Sequence, residues 1–193
     1  MADSAHRRFA PRLVVVALMY VIVHVLTLTR SPLLWLDEAT LNDPALRCVV
    51  DGRMRSSVFS DIDTFQRAYY WQPPVQPYLS AGMYSLFGFG VWQTRILPLL
   101  FGAASVVVFA LILLRMRLHE SAVWIATAVL AFDPLYTYVM RSGRMDAICI
   151  FFLLCGLALM LHARETSKVN RSFLAGLCIC LLYTSPSPRD ATL

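Results

Sequence analysis

Charged residues are scarce in this sequence: Asp, Glu, Lys and Arg make up 15% of it, against about 25% in soluble domains. That scarcity excludes a well-solvated globular surface, and with 58% apolar residues and a mean hydropathy of +0.61 it makes lipid the better solvent. Glycine-rich loops of the kind that cradle nucleotide phosphates are missing, so no dinucleotide or nucleotide-sugar site is expected. A formal charge of +5 lies between apolar runs and forms no basic stripe, which argues against nucleic acid as a partner. Cysteines are few, and Cys48, Cys149, Cys155, Cys178 and Cys180 follow neither metal-ligand spacing nor a disulfide framework. They are expected to be small buried hydrophobes.

Long apolar runs are what the chain does have, and they predict an all-α, polytopic membrane protein. A polar, basic segment, residues 1–12, precedes an apolar run over 13–28 that is close to the shortest spanning length. No small-residue cleavage site follows it, so an uncleaved first helix is expected rather than a signal peptide. Further spans are expected over 97–114, 122–140 and 147–161, with a fifth beginning at 173. Between the first two lies a long loop, 29–91, rich in acidic and aromatic residues and interrupted by Pro73, Pro74 and Pro77. Those prolines break any helix through that point, so short amphipathic helices joined by rigid turns are expected there.

Orientation follows from the basic residues. The N-terminal arginines, Arg115 and Arg117 with His119, and Arg164, Lys168 and Arg171 fall on one side of such a set of spans, which the positive-inside rule makes cytoplasmic. The 29–91 loop and the 141–146 turn then share the opposite side. The apolar run from Phe173 stops after Leu182, and from Cys180 the chain reads CLLYTSPSPRD. This stretch resembles the translation of a transposon-end adapter used in sequencing libraries. Residues 180–193 are therefore expected to be adapter-derived, with the biological sequence ending near Ile179 as the N-terminal part of a longer protein.

Candidate chemistry sits in two short motifs on the non-cytoplasmic side. In LWLDEAT, Asp37 and Glu38 follow the first span, and as neighbours they face different directions, so one can aim into a site while the other holds a helix end or a cation. In RSGRMD, Arg141, Arg144 and Asp146 stand at the start of the fourth span, where an acidic residue also suits the helix dipole. Carboxylates and arginines at the same depth near lipid suit a lipid-phosphate substrate. The stiff WQPPVQPYL segment can position Gln72 or Gln76, or serve only as a connector.

With these motifs, the sequence resembles the polytopic glycosyltransferases that use lipid-linked sugars, in particular the protein O-mannosyltransferases and bacterial lipid A aminoarabinose transferases. The resemblance runs over 13–179 and rests on LWLDEAT, QPPVQPYL, YSLFGFGVWQTRILPLLFGAASV and DPLYTYVMRSGRMDA together with their spacing. It implies the N-terminal part of a glycosyltransferase C-type fold whose first outer loop covers a site open to the lumen or periplasm. By the same resemblance Asp37 is the base, Asp146 the second catalytic acid position, and Glu38, Gln72, Arg141 and Arg144 bind substrate. Arg95 and Leu97 match a structural arginine and a helix start. Gln72 replaces a lysine that many bacterial members carry, which leaves one positive charge fewer for the donor phosphate.

The implied reaction moves a sugar from a polyprenyl-phosphate donor to a protein or glycolipid acceptor, in a bacterial plasma membrane or the endoplasmic reticulum membrane. No cofactor is assigned, and a divalent metal on Glu38 or Asp146 is left open. The fragment by itself is expected to be inactive. The alternative is a non-enzymatic membrane protein or transporter fragment, which should place ionisable groups near the bilayer midplane. Asp133 is the only acidic interruption within an expected span.

Overall fold

The computed structural model describes residues 2–58, 73–166 and 169–180, and all of its regular structure is helical. Among the described residues eight helices follow in order: α1 (Ala2–Val25), α2 (Leu36–Asp51), α3 (Val75–Phe87), α4 (Val91–Arg115), α5 (Glu120–Phe132), α6 (Pro134–Arg141), α7 (Asp146–Thr166) and α8 (Val169–Cys180). Gln72 and residues 181–193, most of the adapter-like tail, lie outside the described residues.

Among the described residues two helices are long and apolar enough to cross a membrane, Val91–Arg115 and Asp146–Arg164. The expected third span is not continuous. Its halves, α5 and α6, meet at a bend of 57°. Asp133 and Pro134 cause the break: Pro134 supplies no N–H to continue α5 and suits the first position of a new helix. Asp133 caps that helix, its Oδ1 accepting the Tyr136 N–H at 2.7 Å. The expected first span is represented by a shorter apolar helix, Pro11–Val25.

Apolar side chains point outward as well as inward, as a lipid-facing surface requires. Val14, Val15, Leu18, Met19 and Ile22 of α1 are exposed, while Leu13 and Tyr20 turn inward. Between helices in lipid, close packing replaces the hydrophobic effect, so small residues mark the contacts. Gly102 on α4 is such a point, because a Cβ there would lie 2.8 Å from Met140 Cβ on α6. The Tyr136 hydroxyl donates to the Gly102 carbonyl at 2.8 Å across the same contact. Gly156 lets α7 approach α8 similarly, where a Cβ would meet Ile179 Cγ1 at 3.0 Å.

The outer-loop helices are α2 and α3. Asp37 and Glu38 occupy the first turn of α2, where the dipole favours them, and Gly52 closes it in the left-handed region at φ 69°. α3 begins just after Pro74, which caps it, and Pro77 lies in its first turn, where a missing N–H breaks no helical bond. None of the four cysteines Cys48, Cys149, Cys155 and Cys178 is fully buried, and Cys180 is exposed, so the expected burial is only partial.

Candidate functional site

At one end of the bundle, α2 lies over the start of α4 and the turn between α6 and α7. Glu38 and Arg95 form the centre of this contact. Both are buried, and they pair through two parallel bonds, Nε to Oε1 at 2.7 Å and Nη2 to Oε2 at 2.8 Å. Bidentate geometry is the strong form of this pair. The third arm of Arg95, Nη1, donates to the carbonyls of Leu28 at 2.8 Å and Pro32 at 2.9 Å, which fixes the chain as it leaves α1. Glu38 Oε1 also accepts the Gly143 N–H at 2.9 Å. The buried Glu38 side chain thus ties α2 to α4 and to the turn before α7.

Asn42, one turn further along α2, completes the clamp. Its Nδ2 donates to the Gly143 carbonyl and, at 2.8 Å, to the Glu38 carbonyl. Its Oδ1 accepts from Gln76 Nε2 at 2.9 Å and from the Tyr84 hydroxyl at 3.2 Å. Tyr84 shares a 2.8 Å bond with Thr94 Oγ1. Burial pushes the Tyr84 phenol up to about 12, with the nearby Glu38 carboxylate adding to the rise and the Thr94 bond opposing it. Gln76 therefore serves in the core, ordered between Asn42 and Ser80. Tyr84 and Thr94 lie within the motif YSLFGFGVWQTRILPLLFGAASV, but the sequence assigns neither them nor Asn42 a role, because those roles exist only once α2, α3 and α4 meet.

Above this buried layer lies a half-exposed cluster of Asp37, Arg144 and Asp146. Arg144 Nε is 2.8 Å from Asp146 Oδ2, and its Nη1 is 3.4 Å from Asp37 Oδ2. Side-chain exposures of 51% for Asp37, 40% for Arg144 and 37% for Asp146 leave all three reachable from outside. Nη2 of Arg144 makes no hydrogen bond among the described residues. Arg141 does not join this cluster. It is buried and turns the other way, its Nη2 donating to Thr27 Oγ1 at 2.7 Å. Among the described residues no group of three or more His, Cys, Asp or Glu is placed to hold a metal ion. Both free carboxylates of the cluster already face a guanidinium, so the donor set does not fit a divalent cation.

An all-α helical chain with helices long and apolar enough to cross a membrane, and an acidic–basic cluster at one end, defines a helical membrane protein. A family model described as dolichyl-phosphate-mannose-protein mannosyltransferase matches residues 71–185, more than half of the chain, and the chain belongs to that family. The match includes Arg95, Arg141, Arg144 and Asp146, whereas Asp37 and Glu38 precede it. No curated protein and no solved structure matches the chain.

Proposed function

We propose that this chain is the N-terminal part of a glycosyltransferase C-type enzyme that moves a sugar from a polyprenyl-phosphate donor to a hydroxyl-bearing acceptor on the non-cytoplasmic side. One observation supports this most: two carboxylates distant in sequence, Asp37 and Asp146, converge on one half-exposed guanidinium. In this reading the acceptor oxygen attacks the anomeric carbon and Asp37 takes its proton. The anomeric carbon–oxygen bond breaks, and polyprenyl phosphate leaves with the electron pair. Arg144 presents Nη2 to the phosphate while Asp146 fixes its Nε, so positive charge is in place before negative charge develops. No step requires a metal or a separate general acid.

The test is transfer from a defined polyprenyl-phosphate sugar by the complete gene product in sealed vesicles, with donor binding titrated separately. Asp37→Asn keeps the size of the side chain and removes the proton acceptor. Transfer should fall by about 10² to 10⁴, the range for a lost general base, while donor binding survives. Near-normal transfer by a correctly folded Asp37→Asn protein refutes the assignment.

A further inference from the structure

Beside the site already described, a cavity of about 400 Å³ opens between the end of α1 and the α5–α6 bend, lined by His24, Ser31, Pro32, Phe132, Thr137 and Arg141 among others. Arg141 is 8% exposed, and its Nε has no hydrogen-bond partner among the described residues. Among these residues its side chain bonds only to the neutral Thr27 hydroxyl, and no carboxylate lies within ion-pair distance. A buried guanidinium without a counter-charge is costly, and this one borders a cavity with room for an anion. The surroundings say what kind. Phe132, an exposed apolar residue, and Pro134 line the cavity with surface suited to hydrocarbon, and Tyr138 and Ser31 add hydroxyl-bearing side chains to its wall.

We propose that this cavity binds the phosphate of a membrane lipid, with Arg141 as its counter-charge. Basic pockets between spanning helices take anionic headgroups in this way, the charge holding the phosphate while the chains lie along the apolar rim. The site is separate from the Asp37–Arg144–Asp146 cluster, with which Arg141 shares no hydrogen-bond partner, and it does not depend on the transfer reaction. Two lipids carry this chemistry: a phospholipid such as phosphatidylglycerol, and polyprenyl phosphate.

The experiment is calorimetric titration of the purified chain in uncharged detergent with dioctanoyl phosphatidylglycerol, polyprenyl monophosphate or phosphate-free dioctanoylglycerol. Saturable binding is expected for at least one phosphate-bearing lipid and not for dioctanoylglycerol, weakened about tenfold or more by Arg141→Gln. Ser31→Trp fills the cavity mouth and leaves the charge, so it should weaken binding too, and it decides the matter if Arg141→Gln does not fold. Preference for phosphatidylglycerol identifies a bound structural lipid, and preference for polyprenyl phosphate a holding site for the donor lipid or its product; both support the proposal. Arg144→Gln should leave phosphatidylglycerol binding unchanged. Wild-type binding by both cavity variants overturns the proposal, as does phosphate binding that depends on Arg144 alone, a result that would leave the transferase reading intact.

Discussion

Asp37 and Asp146 share one guanidinium: Arg144 reaches Asp146 Oδ2 with Nε at 2.8 Å and Asp37 Oδ2 with Nη1 at 3.4 Å. The first turn of α2 and the first turn of α7 are thereby joined at one end of the bundle. Two half-exposed carboxylates at this separation would repel without the arginine, so its charge serves both the fold and any anionic ligand that approaches.

Arg144→Ala should therefore weaken binding of the polyprenyl-phosphate sugar by about tenfold or more, because a charge-assisted bond is lost and two carboxylates are left facing the phosphate. Titrating donor into vesicles carrying the variant checks this. Unchanged donor affinity would remove Arg144 from the phosphate site.

The buried pair below behaves differently. Glu38→Gln or Arg95→Met should destabilise the protein by about 3 to 5 kcal/mol, since each leaves its partner charged and buried. Replacing both together should cost less than the sum of the single changes. Thermal unfolding in detergent of the two single variants and the double variant provides the measurement. Additive losses would mean that the two side chains do not act as a pair.

Topology offers a test independent of stability. Asp37 and Asp146 lie at the end where α4 begins, and Arg115 ends α4 at the other, where its Nη1 donates to the Ala158 carbonyl at 3.2 Å. Single cysteines at 37 and 146, in a chain lacking its five native cysteines, should label from the non-cytoplasmic side. Cysteines at 115 and 171 should label from the cytoplasmic side. Opposite accessibility of 37 and 146 would abolish a shared site.

Much of this was legible in the sequence, for identifiable reasons. Span positions follow from apolar runs whose length the bilayer dictates, and α4 and α7 lie close to where those runs place them. Asp37 and Asp146 could be matched because each stands at a helix start beside an apolar run. Hydropathy alone predicts a continuous third span, because Asp133-Pro134 is only two residues and an average over a window passes across them. The separate fates of Asp37 and Glu38 were half legible: adjacent helical residues must diverge, but which one turns inward depends on Arg95, supplied by a different helix. Arg141 and Arg144 looked equivalent, yet the end of α6 falls between them and sends their side chains to different partners.

Tyr84 gives an alkaline test of the polar layer. Its phenol is raised to about 12 from an ordinary value of 10.0, so the folded state holds the proton more tightly than the unfolded chain. That contribution is complete below about pH 10 and is lost as the pH climbs toward about 12. Tyr84→Phe should remove this part of the alkaline loss, at a cost near 1 kcal/mol at neutral pH for the missing bonds to Asn42 and Thr94. An alkaline unfolding profile identical to wild type would show that Tyr84 does not carry it.

Gly143 links the buried layer to the open cluster, and its replacement should show how tightly the two are coupled. Its N–H is held by Glu38 and its carbonyl by Asn42, so α2 grips both polar groups of the residue just before Arg144. A Cβ at this position would fall on Thr94 Cγ2 and lie 2.9 Å from Glu38 Oε1, which makes glycine a requirement of close approach and not of backbone conformation. Gly143→Ala should therefore cost about 1 to 3 kcal/mol as an overpacked site. It should also shift Arg144, lowering donor affinity without any change to a charged residue. Thr94→Ser removes the obstructing methyl and keeps the hydroxyl that bonds Tyr84 and the Gly90 carbonyl. In that background Gly143→Ala should cost less than it does alone, with donor affinity partly restored. Thermal unfolding and donor titration of the two single variants and the double variant read both effects. Strict additivity in both would show that Thr94 does not set the space at Gly143, and unchanged donor affinity in Gly143→Ala would uncouple the clamp from Arg144.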